Sequence, residues 1–122
     1  MKVLIVDDSG YYRERGADIQ RKLGNEVFFA KDGYEAIDQY RKVQPDIVTM
    51  DICMPNLDGL DASKEIVKDD PKAIIMICSS AGHIYKKQAY KNGALYILKK
   101  EYDEYDFKSA LYELDLIKKE EL

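Results

Sequence analysis

Five short apolar runs limit what this chain can fold into. Val3-Leu4-Ile5-Val6, Val27-Phe28-Phe29-Ala30, Ile47-Val48-Thr49-Met50, Ala73 through Cys78 and Leu95-Tyr96-Ile97-Leu98 are β-prone and nearly continuous in hydrophobicity rather than alternating. A strand apolar on both faces must be covered on both, which is the condition of a parallel sheet between two layers of helix. The intervening segments supply the helices. One runs from about Gly10 to Leu23, with Ser9 as N-cap, Gly24-Asn25 as its close and Gly16 as a weak point. Others are expected from Tyr34 to Val43, Leu60 to Lys68, Gly82 to Lys91 and Asp103 to Lys119. The last carries Phe107, Leu111, Leu114 and Ile117 on one face. Alternation of this kind predicts an α/β fold: one doubly wound, five-stranded parallel sheet with five helices.

With 122 residues, 46% hydrophobic and 34% charged, the chain reads as one domain over 1–122 with a core large enough to need no staple. Nineteen basic against twenty-three acidic residues argue against a nucleic-acid surface and for a protein partner. Cys53 and Cys78 fall in or beside core strands and no signal peptide is evident. Reduced thiols in the cytoplasm are therefore expected. No apolar run approaches the roughly 20 residues that span a bilayer, so no membrane insertion is expected.

The chemistry gathers where the runs end. The first strand delivers Asp7 and Asp8 and the third delivers Asp51, followed by a Met-Pro turn and Asp58-Gly59. In an open α/β sheet the carboxyl ends of the strands line the ligand crevice. A lone Asp there is usually a helix cap or a solvated turn residue. Three at one edge repel one another, and such a cluster serves to hold a cation. Without His or Cys at ligand spacing, an all-oxygen set favours Mg²⁺, with Mn²⁺ as the alternative. The fourth strand delivers Ser79-Ser80 and the fifth Lys99-Lys100. A hydroxyl donor and an ammonium beside a metal site are what phosphoryl transfer requires, because its catalysis is positioning plus neutralisation of oxygen charge.

These residues, in this order, resemble the receiver domains of two-component response regulators, most closely the single-domain chemotaxis type. The resemblance rests on Val-Asp-Asp-Ser at 6–9, Lys-Asp-Gly at 31–33 with Glu35-Ala36, Pro45 through Gly59, Cys78-Ser79, Asn92-Gly93-Ala94 and the strand closing at Lys99. It implies the flavodoxin-like strand order 2-1-3-4-5, for which the chemotaxis receiver is a standard example. It also implies that Asp51 accepts a phosphoryl group from a histidine kinase or phosphotransfer protein. Asp7, Asp8, Asp51 and the backbone carbonyl of Cys53 would form the metal site. Ser79 is similar to the family's Ser/Thr that hydrogen-bonds the phosphoryl group, Lys99 to the pairing lysine and Tyr96 to the aromatic switch residue. Such a domain is no enzyme for an outside substrate, although it catalyses its own phosphorylation and dephosphorylation. Its output would be a downstream protein, met on the face of helix four, strand five and helix five, where Tyr85, Tyr90, Tyr102 and Tyr105 fall. A monomer or weak dimer is expected.

The chain departs from the family after the lysine, where a proline is usual and Lys100 follows Lys99. Lys100 is therefore the alternative functional lysine, while the spacing of Tyr96, Ile97 and Leu98 favours Lys99. Ser80 stands where a small apolar residue is usual. His83 is the only histidine, so a phosphodonor must come from outside. Other readings keep the same edge: a phosphorelay intermediate, a receiver from a longer regulator, or a magnesium-dependent phosphohydrolase using Asp51. A flavodoxin-type carrier fits less well, since acids rather than a Gly/Ser/Thr-rich loop follow the first strand.

Overall fold

A computed structural model describes residues 1–122. Strands β1 (Lys2–Val6), β2 (Glu26–Ala30), β3 (Ile47–Met50), β4 (Ile75–Cys78) and β5 (Tyr96–Leu98) alternate with helices α1 (Gly10–Lys22), α2 (Gly33–Val43), α3 (Gly59–Asp69), α4 (Lys86–Lys91) and α5 (Glu104–Glu113). All neighbouring strands pair in parallel, in the order β2-β1-β3-β4-β5. This is the expected flavodoxin-like sheet.

Strand geometry sends successive side chains to opposite faces, and the sheet accordingly divides the core in two. Leu4, Val6, Val48, Met50, Ile75 and Ile77 join Ala36 and Tyr40 of α2, Leu60, Ala62 and Ile66 of α3 and Ala89 of α4. Val3, Ile5, Ile47, Met76, Cys78 and Leu98 join Ala17 of α1 and Phe107, Ala110 and Leu111 of α5. The residue just beyond each strand thus inherits a predictable side.

Helix ends follow local chemistry. The Ser9 hydroxyl accepts from the Tyr12 N–H, as expected of an N-cap. Gly16 is buried, and a Cβ there would press on Ile5 and on the Tyr102 hydroxyl, so the weak point in α1 marks its close approach to the sheet. Two boundaries differ from expectation. The segment from Gly82 to Tyr85 forms turns, with the Gly82 N–H on the Ser79 carbonyl and those of Ile84 and Tyr85 on Ala81, and α4 starts only at Lys86. At the other end, α5 stops at Glu113 instead of Lys119. Asp115 takes a left-handed conformation (φ 58°), the Asp115 N–H returns to Tyr112 and the Leu116 N–H to Leu111. That is a Schellman close with Asp where Gly is usual. Leu114 and Ile117 still pack on the α1/α5 side, Ile117 from beyond the helix.

Asp32 caps α2 through the Glu35 N–H and accepts from the Asn56 amide at 2.8 Å, tying α2 to the loop after β3. These donors, the Glu35 backbone first, hold its carboxyl below the ordinary value of 3.8. A depressed folded value means the contribution is complete above pH 3.8 and fades as pH falls through the lower folded value. Asp32→Ala is expected to cost about 1 kcal/mol at neutral pH. In denaturant titrations the gap to wild type should close on acidification below pH 3.8; a gap independent of pH there would refute the ionic origin.

Candidate functional site

The acids meet because their strands are in register. Val6 pairs with Met50, and the Asp51 N–H donates to the Val6 carbonyl at 2.9 Å, which puts Asp7 and Asp51 side by side one step beyond β1 and β3. Asp7, Asp8 and Asp51 each offer a carboxylate oxygen within 4.8 Å of the others. Asp7 and Asp51 are buried and Asp8 is exposed, so the cluster opens to solvent on one side.

The two buried acids are fixed from behind. Asp7 Oδ1 accepts from the Ser9 N–H at 2.9 Å, and its carbonyl accepts from Arg13 Nη1 at 2.7 Å. Asp51 Oδ1 accepts from the Ile52 N–H at 2.9 Å. The loop beyond Asp51, which carries Cys53, is held by three bonds: Gly59 N–H to Ile52, Gly33 N–H to Leu57, and the Asn56 amide to Asp32. Gly59 has no room for a side chain, because a Cβ would collide with the Asp51 carbonyl. α3 can therefore start directly against the residue that bears the carboxylate.

The lysine at this edge is Lys100. Its Nζ lies 2.5 Å from Asp7 Oδ2 and 3.5 Å from Asp51 Oδ2, with the side chain 14% exposed. Lys99, favoured from spacing, instead reaches Asp106 of α5 at 3.3 Å and is 69% exposed. Alternation along β5 explains the correction. Lys100 continues the row of Tyr96 and Leu98 toward α1 and α5, the side on which Asp7 follows Val3 and Ile5. The same alternation corrects Tyr96. It packs on the α1/α5 side, where burial, then the nearby Glu113 carboxylate, pushes its phenol up to about 12. Ile97 is the residue that faces Ser79: the two line one groove, and a Cβ on Gly82 would sit 3.0 Å from Ile97 and 3.2 Å from the Ser79 carbonyl.

Ser79 is buried beside Asp51, its hydroxyl accepting from the Ala81 N–H at 3.3 Å. Burial raises the Asp51 pKa and Asp7 adds to the rise, against the Lys100 charge and the Ser79 hydroxyl. For Lys100 burial works downward, yet the bond to Asp7 and the charges of Asp51 and Asp7 leave it raised and firmly cationic. The pocket thus already prefers a positive charge. Tyr102, expected on the output face, is instead in the core at 3% exposure. Its hydroxyl accepts from Gln20 at 3.3 Å, while Tyr85, Tyr90 and Tyr105 are exposed.

An open parallel sheet whose strand ends converge on three acids, a hydroxyl and an ammonium defines a flavodoxin-like domain with a cation-seeking crevice. Residues 3–112 match the family model of the response regulator receiver domain, and the chain belongs to that family. It is 51% identical over 82 residues to the chemotaxis protein CheY of Thermotoga maritima, covering 66% of this chain and 68% of that one. It is also 45% identical over 80 residues to a Vibrio cholerae protein-glutamate methylesterase/protein-glutamine glutaminase, of which the match spans only 22%. Among solved structures, a CheX–CheY–BeF3–Mg complex from Borrelia burgdorferi superposes with a TM-score of 0.86 at 30% identity, covering 97% of this chain and 90% of that one. Membership carries the general role of these domains, phosphorylation-activated signalling of the chemotaxis type rather than turnover of a substrate. Receiver domains bind Mg²⁺ at an acidic cluster, and the all-oxygen set of Asp7, Asp8 and Asp51 suits a hard divalent ion. No helix is long and apolar enough to cross a membrane.

Proposed function

We propose that Asp51 is the phosphoacceptor of this receiver and takes its phosphoryl group from the phosphohistidine of a partner kinase or phosphotransfer protein. An Asp51 carboxylate oxygen forms the new O–P bond as the N–P bond breaks, and the departing imidazole keeps the electron pair and takes up a proton. The observation that carries this reading is the convergence of Asp7, Asp51 and Lys100 within one salt-bridged cluster at the carboxyl edge of the sheet. Lys100 supplies fixed positive charge for the phosphoryl oxygens and Ser79 a hydroxyl donor, the arrangement that such transfers demand. Asp7, Asp8 and Asp51, with the Cys53 carbonyl, would hold Mg²⁺, which neutralises phosphoryl charge when bound. The Borrelia CheX–CheY complex, which contains BeF3 and Mg, is in keeping with this.

The phosphorylated aspartate gains negative charge and three strong acceptor oxygens. Ser79 moves to donate to one of them, and Ile97, which shares its groove, takes up the space released. That shift is read by a downstream protein at the exposed Tyr85, Tyr90 and Tyr105 around α4 and α5. The two free cysteines suit the reducing cytoplasm in which such a kinase works.

The test is incubation with Mg²⁺ and a small acyl phosphate or phosphoramidate, followed by intact mass. One phosphoryl mass is expected, and none when a chelator is present from the start. No gain in mass, or repeated turnover of the donor without a labelled protein, would overturn the reading.

A further inference from the structure

The segment after β5 is held to α1 one residue at a time. The Lys100 ammonium, paired with Asp7 and Asp51, also lies over the Tyr12 ring, 4.3 Å from its centre. The Tyr12 hydroxyl donates to Glu101 Oε1 at 3.2 Å. Arg15 Nη1 donates to the Tyr102 carbonyl at 2.8 Å, and the Gln20 amide donates to the Tyr102 hydroxyl at 3.3 Å. Tyr12, Arg15 or Gly16, and Gln20 recur at the spacing of one helix face, so a single stripe of α1 meets residues 100–102. The Tyr12 ring is itself braced edge-on by Tyr11, with centroids 5.0 Å apart and planes at 82°.

A lysine has four rotatable bonds and no fixed fork, so its ammonium stays at a site only where its surroundings hold it. Acids alone draw Lys100 toward Asp7. The Tyr12 ring face adds an attraction that depends on the quadrupole of the ring and not on charge pairing. We propose that Tyr12 is a positioning residue for Lys100, its ring holding the ammonium over Asp51 while its hydroxyl fixes Glu101 and with it the loop. The inference rests on Asp51 and Lys100 having the roles given above. Tyr12 touches no reacting atom and acts only through Lys100.

The experiment measures the rate of Mg²⁺-dependent labelling by a small phosphodonor. Labelling of the wild type comes first; its failure would count against the phosphoacceptor reading, whereas the following outcomes judge Tyr12 alone. Tyr12→Leu should slow labelling by about 3- to 30-fold, the range a cation–ring contact commands. Tyr12→Phe, which keeps the ring, should stay within about threefold of wild type. Phenylalanines carrying one, two or three ring fluorines at position 12 keep the shape and weaken the quadrupole, so the rate should fall stepwise with fluorine number. In a Lys100→Met background none of these changes should alter the residual rate. A flat fluorine series, an equal loss in Tyr12→Phe and Tyr12→Leu, or an undiminished effect of Tyr12→Leu without Lys100 would each overturn the proposal. The isosteric series keeps the test decisive if Tyr12→Leu folds poorly.

Discussion

Asp51→Asn is expected to gain no phosphoryl mass under conditions that fully label the wild type, and to be at least as stable as the wild type without Mg²⁺. The first half follows from removing the only proposed nucleophile while keeping its shape and its bond from the Ile52 N–H. The second half follows from electrostatics. Burial raises the Asp51 pKa, with Asp7 adding to the rise, so the folded state disfavours the ionised carboxylate relative to the unfolded chain. That penalty is absent below the unfolded value and complete above the raised folded one. The stability advantage of Asp51→Asn should therefore open as pH rises from the acid range toward neutrality. Mg²⁺ should reverse the order, since an ion that binds only the folded state stabilises it and the amide is a poorer ligand than the carboxylate. Phosphoryl mass on Asp51→Asn would remove the assignment, and a variant less stable at neutral pH would contradict the charge account.

Lys100→Met should slow labelling by about 10²- to 10³-fold, as loss of one preorganised charge facing a developing anion commonly does. Lys99→Met should leave the rate within about twofold, because the exposed pair with Asp106 carries little energy. The two lysines also separate in stability. Removing Lys100 strips the buried Asp7 and Asp51 of their counter-charge, a loss of about 3 kcal/mol when no other cation is present. Saturating Mg²⁺ should recover part of it. For Lys99→Met the change should stay below about 1 kcal/mol in either condition. Equal defects in the two variants, measured side by side by intact mass and thermal melting, would undo the distinction.

The sheet and the acids were legible in the sequence for one reason. Apolar runs such as Ile47–Met50 and Ala73–Cys78 are too continuous for anything but a sheet covered on both faces, and the first polar residue after each run, Asp51 or Ser79, marks its carboxyl end. The fifth strand was harder to read. It is three residues long at the edge of the sheet, and its flanks carry two adjacent lysines, so hydrophobicity did not settle which residues face which side. Spacing from Tyr96 favoured Lys99, whereas alternation from Leu98 selects Lys100 and turns Tyr96 toward α5. Tyr102 was misread for a related cause. Nothing local distinguishes a tyrosine bound for solvent from one whose hydroxyl meets Gln20 eighty-two residues away. The late start of α4 and the early close of α5 depend on turns through Ala81–Gly82 and at Asp115; Gly82 also suits the opening of a helix, and the apolar spacing that runs on to Ile117 outweighed the turn preference of Asp115.

The division of the core between the two faces of the sheet carries a consequence for how this chemistry could be lost. Side chains on a strand repeat every two residues, so a slip of one position in β1 would send Leu4 and Val6 to the wrong layer. The same slip would swing Asp7 away from Lys100. Errors of packing and errors of chemistry are here a single event, and a β1 threaded well enough to bury its aliphatic residues has already aimed its acid.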